Sequence, residues 1–168
     1  SVVFSPHLLR IVRAATVGQV VMSEVAWAGS SDSSTDEWIE LYNNGAQSVD
    51  LTNWHIVDDL GASDYKILSG SIPAHGYFLI EDHESTIQNV TADAIIDISL
   101  ANTGDSLQLY DGAGQLIDTV NGSGGAWYSG NATTHASMER IDPTVLTDVS
   151  AQWATSTGVA AGQVVPVS

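Results

Sequence analysis

Apolar and polar residues alternate with a period of two through most of the chain, which is the pattern of half-buried β-strands. The clearest example is DEWIELYN, residues 36–43, in which Ile39 and Leu41 are predicted to face one side and Trp38 and Glu40 the other. Nine further segments show the same preference for strand. They are Gln19–Trp27, Ser48–Leu51, Trp54–Val57, Tyr65–Leu68, Tyr77–Glu81, Ile95–Leu100, Ser106–Tyr110, Gln115–Val120 and Ser137–Ile141.

Turn residues separate these segments, as in Asn43-Asn44-Gly45 and in the hairpin signal Asp111–Gly114. About ten short strands with turns every 8–12 residues predict an all-β, antiparallel sandwich. In the first strand, Val21 and Val25 are expected on the same face. The residues expected inside the sandwich are Ile39, Leu41, Leu51, Ile56, Leu79, Leu107 and Leu109.

The N-terminal segment has a different character. Ser5–Pro6 followed by HLLRIVRAA favours a helix, although the β-branched residues of the same run also suit a strand. One helical turn is expected within Glu84–Asn89. The predicted organisation is an apolar, basic leader at residues 1–18, the sandwich at 19–158, and a C-terminal tail or edge strand at 159–168.

Charge is distributed unevenly along the 168 residues, which carry a net charge of −16. Residues 14–168 hold all 20 acidic side chains against Lys66 and Arg140, whereas the leader carries Arg10 and Arg13. Such an acidic body disfavours binding to nucleic acid or to an anionic membrane surface. The chain contains no cysteine and no run long enough for a membrane span. With 33 Ser and Thr and a single lysine, its composition is typical of secreted prokaryotic proteins, so an extracellular or cell-surface location is expected.

Six segments in a fixed order resemble a known family. They are VVMSEVAWAGS (20–30), DEWIELYN (36–43), VDLTNWHIVDD (49–59), IPAHGYFLIED (72–82), LANTGDSLQLYDGAGQLIDTV (100–120) and ASMERIDP (136–143). Together they look like a lamin tail domain of the prokaryotic, secreted kind, over roughly residues 20–153. The resemblance implies an immunoglobulin-like β-sandwich with an extra apolar N-terminal segment, an exported setting and no catalytic residue to carry over. In this family the module occurs in nuclear lamins and on exported proteins, often beside catalytic domains.

Motifs for catalysis and for metal binding are weak. There is no G-x-S-x-G, no H-E-x-x-H and no P-loop, so no enzymatic activity is expected. Acidic residues cluster around Gly61 and around His83, and calcium prefers such oxygen-rich loops, but neither cluster matches a calcium-loop motif. No cofactor is therefore expected, and calcium is kept as a possibility. The candidate ligands are Asp58, Asp59, Asp64, Glu81, Asp82 and Glu84.

Two further sets of residues are candidates for contact or modification. Trp127 and Tyr128 lie in a glycine-rich loop, where they either contact a ligand or fold back onto the sheet. Asn89, Asn121 and Asn131 begin N-x-S/T sequons, a weak signal for glycosylation.

The leader separates two functional hypotheses. In the first, the protein is an extracellular structural subunit whose leader docks on the sandwich of a neighbouring copy, giving a head-to-tail filament or surface layer. In the second, it is a stand-alone secreted binding or adhesion module for glycans or surface partners, and the leader packs on its own sandwich or is removed as part of a signal peptide. The predicted assembly residues are Val2, Val3, Phe4, Leu8, Leu9, Arg10, Ile11, Val12 and Arg13.

Overall fold

The structure is a computed structural model that describes residues 15–58, 65–83, 87 and 90–157. The assembly residues of the leader, the C-terminal tail from 159 onward and the expected helical turn apart from Ile87 lie outside this part of the chain. Within it there are twelve strands and one 3₁₀ turn, Ser150–Gln152. The strands are β1 (Val20–Ala26), β2 (Trp38–Asn43), β3 (Val49–Asp50), β4 (His55–Asp58), β5 (Tyr65–Ile67), β6 (Ser71–Ile72), β7 (Tyr77–Glu81), β8 (Ala94–Ile95), β9 (Leu107–Tyr110), β10 (Leu116–Val120), β11 (Met138–Arg140) and β12 (Trp153–Thr155).

These strands form an immunoglobulin-like β-sandwich, as expected. The large sheet has the order β12-β11-β1-β2-β7-β8 and the small sheet the order β10-β9-β4-β5, while β3 and β6 form a separate pair. All ten predicted strands overlap an observed one. The strands β6 (Ser71–Ile72) and β12 (Trp153–Thr155) lie outside every predicted segment. The pairing is antiparallel except between β7 and β8, which run parallel.

The core lies between the large and small sheets and contains six of the seven residues expected there. Leu79 is the exception. It is buried on the opposite face of the large sheet, in a second cluster with Trp38 and Ile87, whereas its neighbours Phe78 and Ile80 enter the core. Phe78, Leu79 and Ile80 are all apolar, because both faces of β7 are covered. The sequence pattern therefore does not distinguish the two faces of β7, and the prediction that Leu79 enters the core is wrong.

An irregularity in β1 overturns the expectation that Val21 and Val25 share a face. The register shifts between Met22 and Glu24, and Val20, Met22 and Val25 are the residues that join the core. A β-bulge adds one residue to a strand and so reverses the alternation beyond it. The same change of phase turns Glu24 toward the outer face, beside Glu40 of β2.

Strand β8 ends earlier than predicted, because two carboxylates replace the next part of its ladder. The amide of Ile96 still bonds the main-chain carbonyl of Glu81. Beyond it, the amide of Ile98 donates to Oδ1 of Asp82 at 3.1 Å and the amide of Leu100 donates to Oε2 of Glu37 at 2.7 Å. Side-chain oxygens thus accept the amide hydrogens that a longer strand would have given to a neighbouring backbone.

A buried ion pair connects the two sheets. Nη2 of Arg140, on β11, lies 2.7 Å from Oδ2 of Asp118, on β10, and that oxygen also accepts the amide of Met22. The guanidinium donates in addition to two main-chain carbonyls and stacks 4.7 Å above the ring of Trp153. Arg140 therefore supplies much of the polar contact inside an otherwise apolar core.

Candidate interaction surface

An apolar and aromatic surface covers the side of the small sheet that faces away from the core. Residues 56, 107 and 109 enter the core, so their alternating neighbours point outward. Ile67 pairs with His55, and His55 pairs with Tyr110 on the other side. Tyr110 pairs in turn with Leu116, so this row crosses all four strands. We call the row and its neighbouring residues the aromatic face, which comprises Tyr65, Ile67, His55, Val57, Gln108, Tyr110 and Leu116.

Three apolar members of the aromatic face are substantially exposed: 66 % of Ile67, 56 % of Tyr65 and 41 % of Leu116 is accessible to solvent. No acidic side chain belongs to this set, although the chain as a whole carries a net charge of −16. Single exposed apolar residues are common on protein surfaces, whereas a contiguous group is typical of a contact surface. The aromatic face is the candidate functional surface of the molecule.

The rings on this face are held by one another. The His55 and Tyr110 rings stack with centroids 5.2 Å apart and an angle of 8° between their planes, while Tyr65 meets His55 edge-on at 4.9 Å. The Tyr110 hydroxyl donates to Oε1 of Gln108 at 2.7 Å, which fixes its direction. Because the facing sides of the His55 and Tyr110 rings are occupied, the exposed Tyr65 ring and the flanking aliphatic side chains are the groups best placed to contact a partner.

Sequence reasoning did not identify the aromatic face. A usable signal exists in β4 and β5, where the residues that alternate with the core positions are themselves apolar or aromatic rather than charged. What the sequence does not give is the strand order that brings β5, β4, β9 and β10 side by side and merges these positions into one surface.

The glycine-rich loop with Trp127 and Tyr128 folds back onto the sandwich, which is one of the two interpretations considered for it. The Trp127 ring is half-buried and stacks on Trp27 at 6.1 Å, and its Nε1 donates to the carbonyl of Ala101 at 2.8 Å. The Tyr128 hydroxyl donates to the carbonyl of Asp148. Both polar groups are used within the chain, and a ligand contact by these two residues stays a prediction.

The calcium candidates do not converge. Asp59, Asp64 and Glu84 are outside the described ranges, Asp58 is half-buried at the end of β4, and Glu81 is completely buried on β7. Asp82 is engaged by the amide of Ile98 and by Nδ1 of His83, which lies 2.7 Å away. Among the residues whose positions the structure gives, no three His, Asp or Glu side chains form a group able to hold a metal ion.

A polar cleft of about 410 Å³ opens beside Asp82 and contains a carboxyl with a perturbed pKa. Glu37, Asp82, His83 and Asp97 line it. Burial raises the pKa of Glu37 to about 7, against the opposing effect of the hydrogen bond from the Leu100 amide. Sequence reasoning did not bring Glu37 and Asp82 together. Both carboxylates hold the 96–100 segment in place, which accounts for their position without a ligand.

A row of three glutamates crosses the outer face of the large sheet. Glu24 pairs with Glu40 on β2 and with Glu139 on β11. Burial raises the pKa of both Glu24 and Glu40 to about 7, with further repulsion from the neighbouring carboxylates. Hydroxyl groups of Ser137 and Ser23 donate to Glu24 and Glu40, which limits the rise. These two carboxyls therefore take up protons near neutral pH.

The glycosylation candidates differ in accessibility. Asn121 is 1 % exposed, and both hydrogens of its amide are donated to main-chain carbonyls, of Asp105 and Gly125. A glycan on Asn121 is incompatible with this packing, so that candidate is wrong for the folded protein. Asn131 is exposed and caps a turn with its Oδ1, while Asn89 lies outside the described part of the chain.

A comparison with models of protein families gives a match. A family model described as the Lamin Tail Domain matches residues 13–123, about two thirds of the chain, which include β1 through β10. None of the curated proteins matches. The described part of the chain contains no helix that is long and apolar enough to span a membrane.

Proposed function

Because the chain belongs to the lamin tail domain family, a non-catalytic family of immunoglobulin-like structural domains, we propose that it is a structural subunit that assembles with copies of itself outside the cell. The observation that carries this proposal is the aromatic face, a partly apolar surface without acidic side chains on a strongly acidic body. A structural subunit requires such a surface, whereas a freely diffusing monomer generally avoids one.

The aromatic face supports association but is too small to act alone. Fully burying a large apolar side chain contributes roughly 1.5–3 kcal/mol. About half of each side chain remains to be buried in Ile67, Tyr65 and Leu116, so the three together would contribute about 3 kcal/mol. Association costs at least about 4 kcal/mol in lost translational and rotational freedom. Stable assembly therefore requires a second contact, and the apolar leader is the segment that we propose for it.

The extracellular setting is part of the proposal and is supported by composition. The chain has no cysteine, one lysine and 33 Ser and Thr, and its net charge of −16 keeps separate bodies apart at low ionic strength. Under these conditions only a specific contact brings two copies together. Assembly of this kind yields an ordered polymer rather than an amorphous precipitate.

Sedimentation velocity across a concentration series, followed by negative-stain electron microscopy, tests this function. We expect species heavier than the 17.7 kDa monomer to increase with concentration and regular polymers to be visible. Ile67→Lys, on the aromatic face, should reduce assembly, and the matched control Ile141→Lys, at a residue that is 62 % exposed but lies outside this face, should leave it unchanged. A monomer at every concentration would contradict the proposal.

A second candidate function is a binding module for glycans or other surface partners. The exposed Tyr65 ring favours it, because aromatic rings contact the C–H faces of sugars, and a body this acidic would select neutral rather than anionic polysaccharides. Calorimetric titration with neutral polysaccharides, on the wild type and on Tyr65→Ala, distinguishes the two functions. Binding by the wild type that the variant loses would favour the binding module.

A further inference from the structure

Strand β5 forms an edge of the small sheet, and its register with β4 shows which of its main-chain groups point outward. The amide of Leu68 donates to the carbonyl of Trp54 at 2.7 Å, and in the same antiparallel ladder Lys66 lies opposite Ile56. Hydrogen-bonded pairs alternate along such a ladder, so the main-chain groups of Tyr65 and Ile67 point away from β4. Among the described residues, no strand pairs with this edge of β5.

Two other sheet edges are partly occupied by the protein's own groups. Beside β10, the amide of Gly18 donates to the carbonyl of Ile117 at 2.9 Å. Beside β12, the carbonyl of Trp153 accepts the Ser129 hydroxyl. The edge of β5 has no comparable covering contact within the described ranges, and it borders the most exposed part of the aromatic face. It is therefore well suited to accept another strand.

The leader has the chemistry of a matching strand. After Pro6, which lacks an amide hydrogen, residues 7–13 read HLLRIVR and contain four apolar residues and two arginines. This segment is positively charged, whereas residues 14–168 carry a formal charge of −18. A leader is therefore attracted to a body and repelled by another leader, which favours a head-to-tail contact.

The place where the leader joins the body determines how such contacts propagate. Gly18 is bonded to β10, at one edge of the small sheet, and β5 is at the other edge, three strand spacings or about 14 Å away. To lie along β5 of its own chain, the leader would first have to cross the whole sheet. A neighbour's leader can approach the edge directly. The leader leaves the body beside β10, whereas the acceptor is the edge of β5. The two contact surfaces are therefore different, so the contact is heterologous and repeats from copy to copy.

Building on the assembly function proposed above, we infer that residues 7–13 of one copy add as a strand to the open edge of β5 in the next copy. The added strand would bond the outward main-chain groups of Tyr65 and Ile67. Its apolar side chains would extend the aromatic face and cover the most exposed residues there. The main-chain hydrogen bonds of the added strand and the burial of the leader's own apolar side chains would supply the binding free energy that the aromatic face alone lacks.

Disulfide trapping tests the inferred contact, because the chain has no cysteine of its own and every disulfide reports a designed pair. The variant Leu9→Cys/Ile67→Cys carries one thiol on the donor and one on the acceptor, and Arg10→Cys/Ile67→Cys samples the opposite strand face. Under oxidising conditions we expect a ladder of covalent oligomers from at least one of these variants. The matched control, Leu9→Cys/Leu116→Cys, places the acceptor thiol on β10 and should give no ladder. An intramolecular disulfide in a monomer of either Ile67→Cys variant would overturn the inference and show that the leader docks within its own chain.

Blocking the edge provides an independent test. Ile67→Pro removes an amide hydrogen that faces away from β4, so it should abolish assembly while the β4–β5 pair persists. Ile67→Lys adds a charge at the same edge and serves if the proline variant does not fold. If the wild type assembles, a folded Ile67 variant also assembles and the cysteine variants give no disulfide ladder, the β5 inference is wrong and the assembly function stands. A wild-type chain that never assembles would overturn both.

Discussion

Replacing Arg140 with methionine removes the guanidinium that pairs with Asp118 in the core and leaves that carboxyl among apolar side chains. Burial already raises the pKa of Asp118 to about 6, from 3.8, although Arg140 and the amides of Met22 and Thr119 oppose the rise. Without Arg140 the largest opposing effect disappears. The pKa of Asp118 should therefore rise further, and the ionised form should become more costly in the folded state.

The size of the effect follows from the burial of both partners. Removing one member of a buried ion pair typically costs 3–5 kcal/mol, and both side chains are almost inaccessible here, at 0 % for Arg140 and 2 % for Asp118. At pH 8, where Asp118 is ionised, we expect Arg140→Met to lower the free energy of unfolding by about 4 kcal/mol. At pH 5 the carboxyl can bind a proton, so the expected loss falls to about 2 kcal/mol, which reflects the lost hydrogen bonds.

Urea unfolding followed by tryptophan fluorescence measures both values, and Trp153, directly beneath the guanidinium, is a local probe. The double variant Arg140→Met/Asp118→Leu is the control. It removes the uncompensated carboxyl and should recover most of the stability at pH 8. A loss below about 1 kcal/mol at pH 8, or the same loss at both pH values, would refute the reasoning from an uncompensated buried charge.

Three further predictions follow from other parts of the fold. Burial raises the pKa of Glu24 and of Glu40 from an ordinary 4.5 to about 7 in the folded state, so the stability that their protonation contributes is complete below pH 4.5 and is lost as the pH rises through 7. The melting temperature should therefore be higher at pH 5 than at pH 8, and Glu40→Gln should reduce the difference. Trp127→Ala removes the stacking on Trp27 and the bond to Ala101, and should lower the free energy of unfolding by about 2 kcal/mol in urea titrations, half the usual cost for a fully buried tryptophan. Raising NaCl from 0.05 to about 1 M should increase the assembled fraction seen in sedimentation, because screening weakens repulsion between acidic bodies more than it weakens leader attraction; a fall in that fraction would contradict this balance of charges.

Much of the sandwich was predictable because its strands expose different chemistry on their two faces. In β2, Ile39 and Leu41 alternate with Glu40 and Tyr42, and the structure confirms this assignment. In β7, both faces are buried and the alternation disappears, so Leu79 was assigned to the wrong side. The bulge in β1 changes the phase through main-chain geometry, which a hydrophobic pattern does not encode.

The candidate surface was less accessible to sequence reasoning, because it depends on strand order. Tyr65 and Tyr110 are 45 positions apart and become neighbours of His55 only when β4 lies between β5 and β9. The shortened β8 has a similar origin, since the carboxylates of Glu37 and Asp82 reach it only in the folded chain. Local periodicity finds strands and their faces, whereas sites are produced by contacts between distant segments.

Hydrogen exchange at the edge of β5, measured at increasing protein concentration, tests the central claim most directly. The amides of Tyr65 and Ile67 face the open edge, so they should exchange quickly in dilute protein. If copies assemble through this edge, exchange at these two amides should slow markedly as concentration rises, while the amide of Lys66, already paired with β4, should change little. If the exchange rates of the Tyr65 and Ile67 amides do not change with concentration in samples that sediment as polymers, assembly through β5 is contradicted.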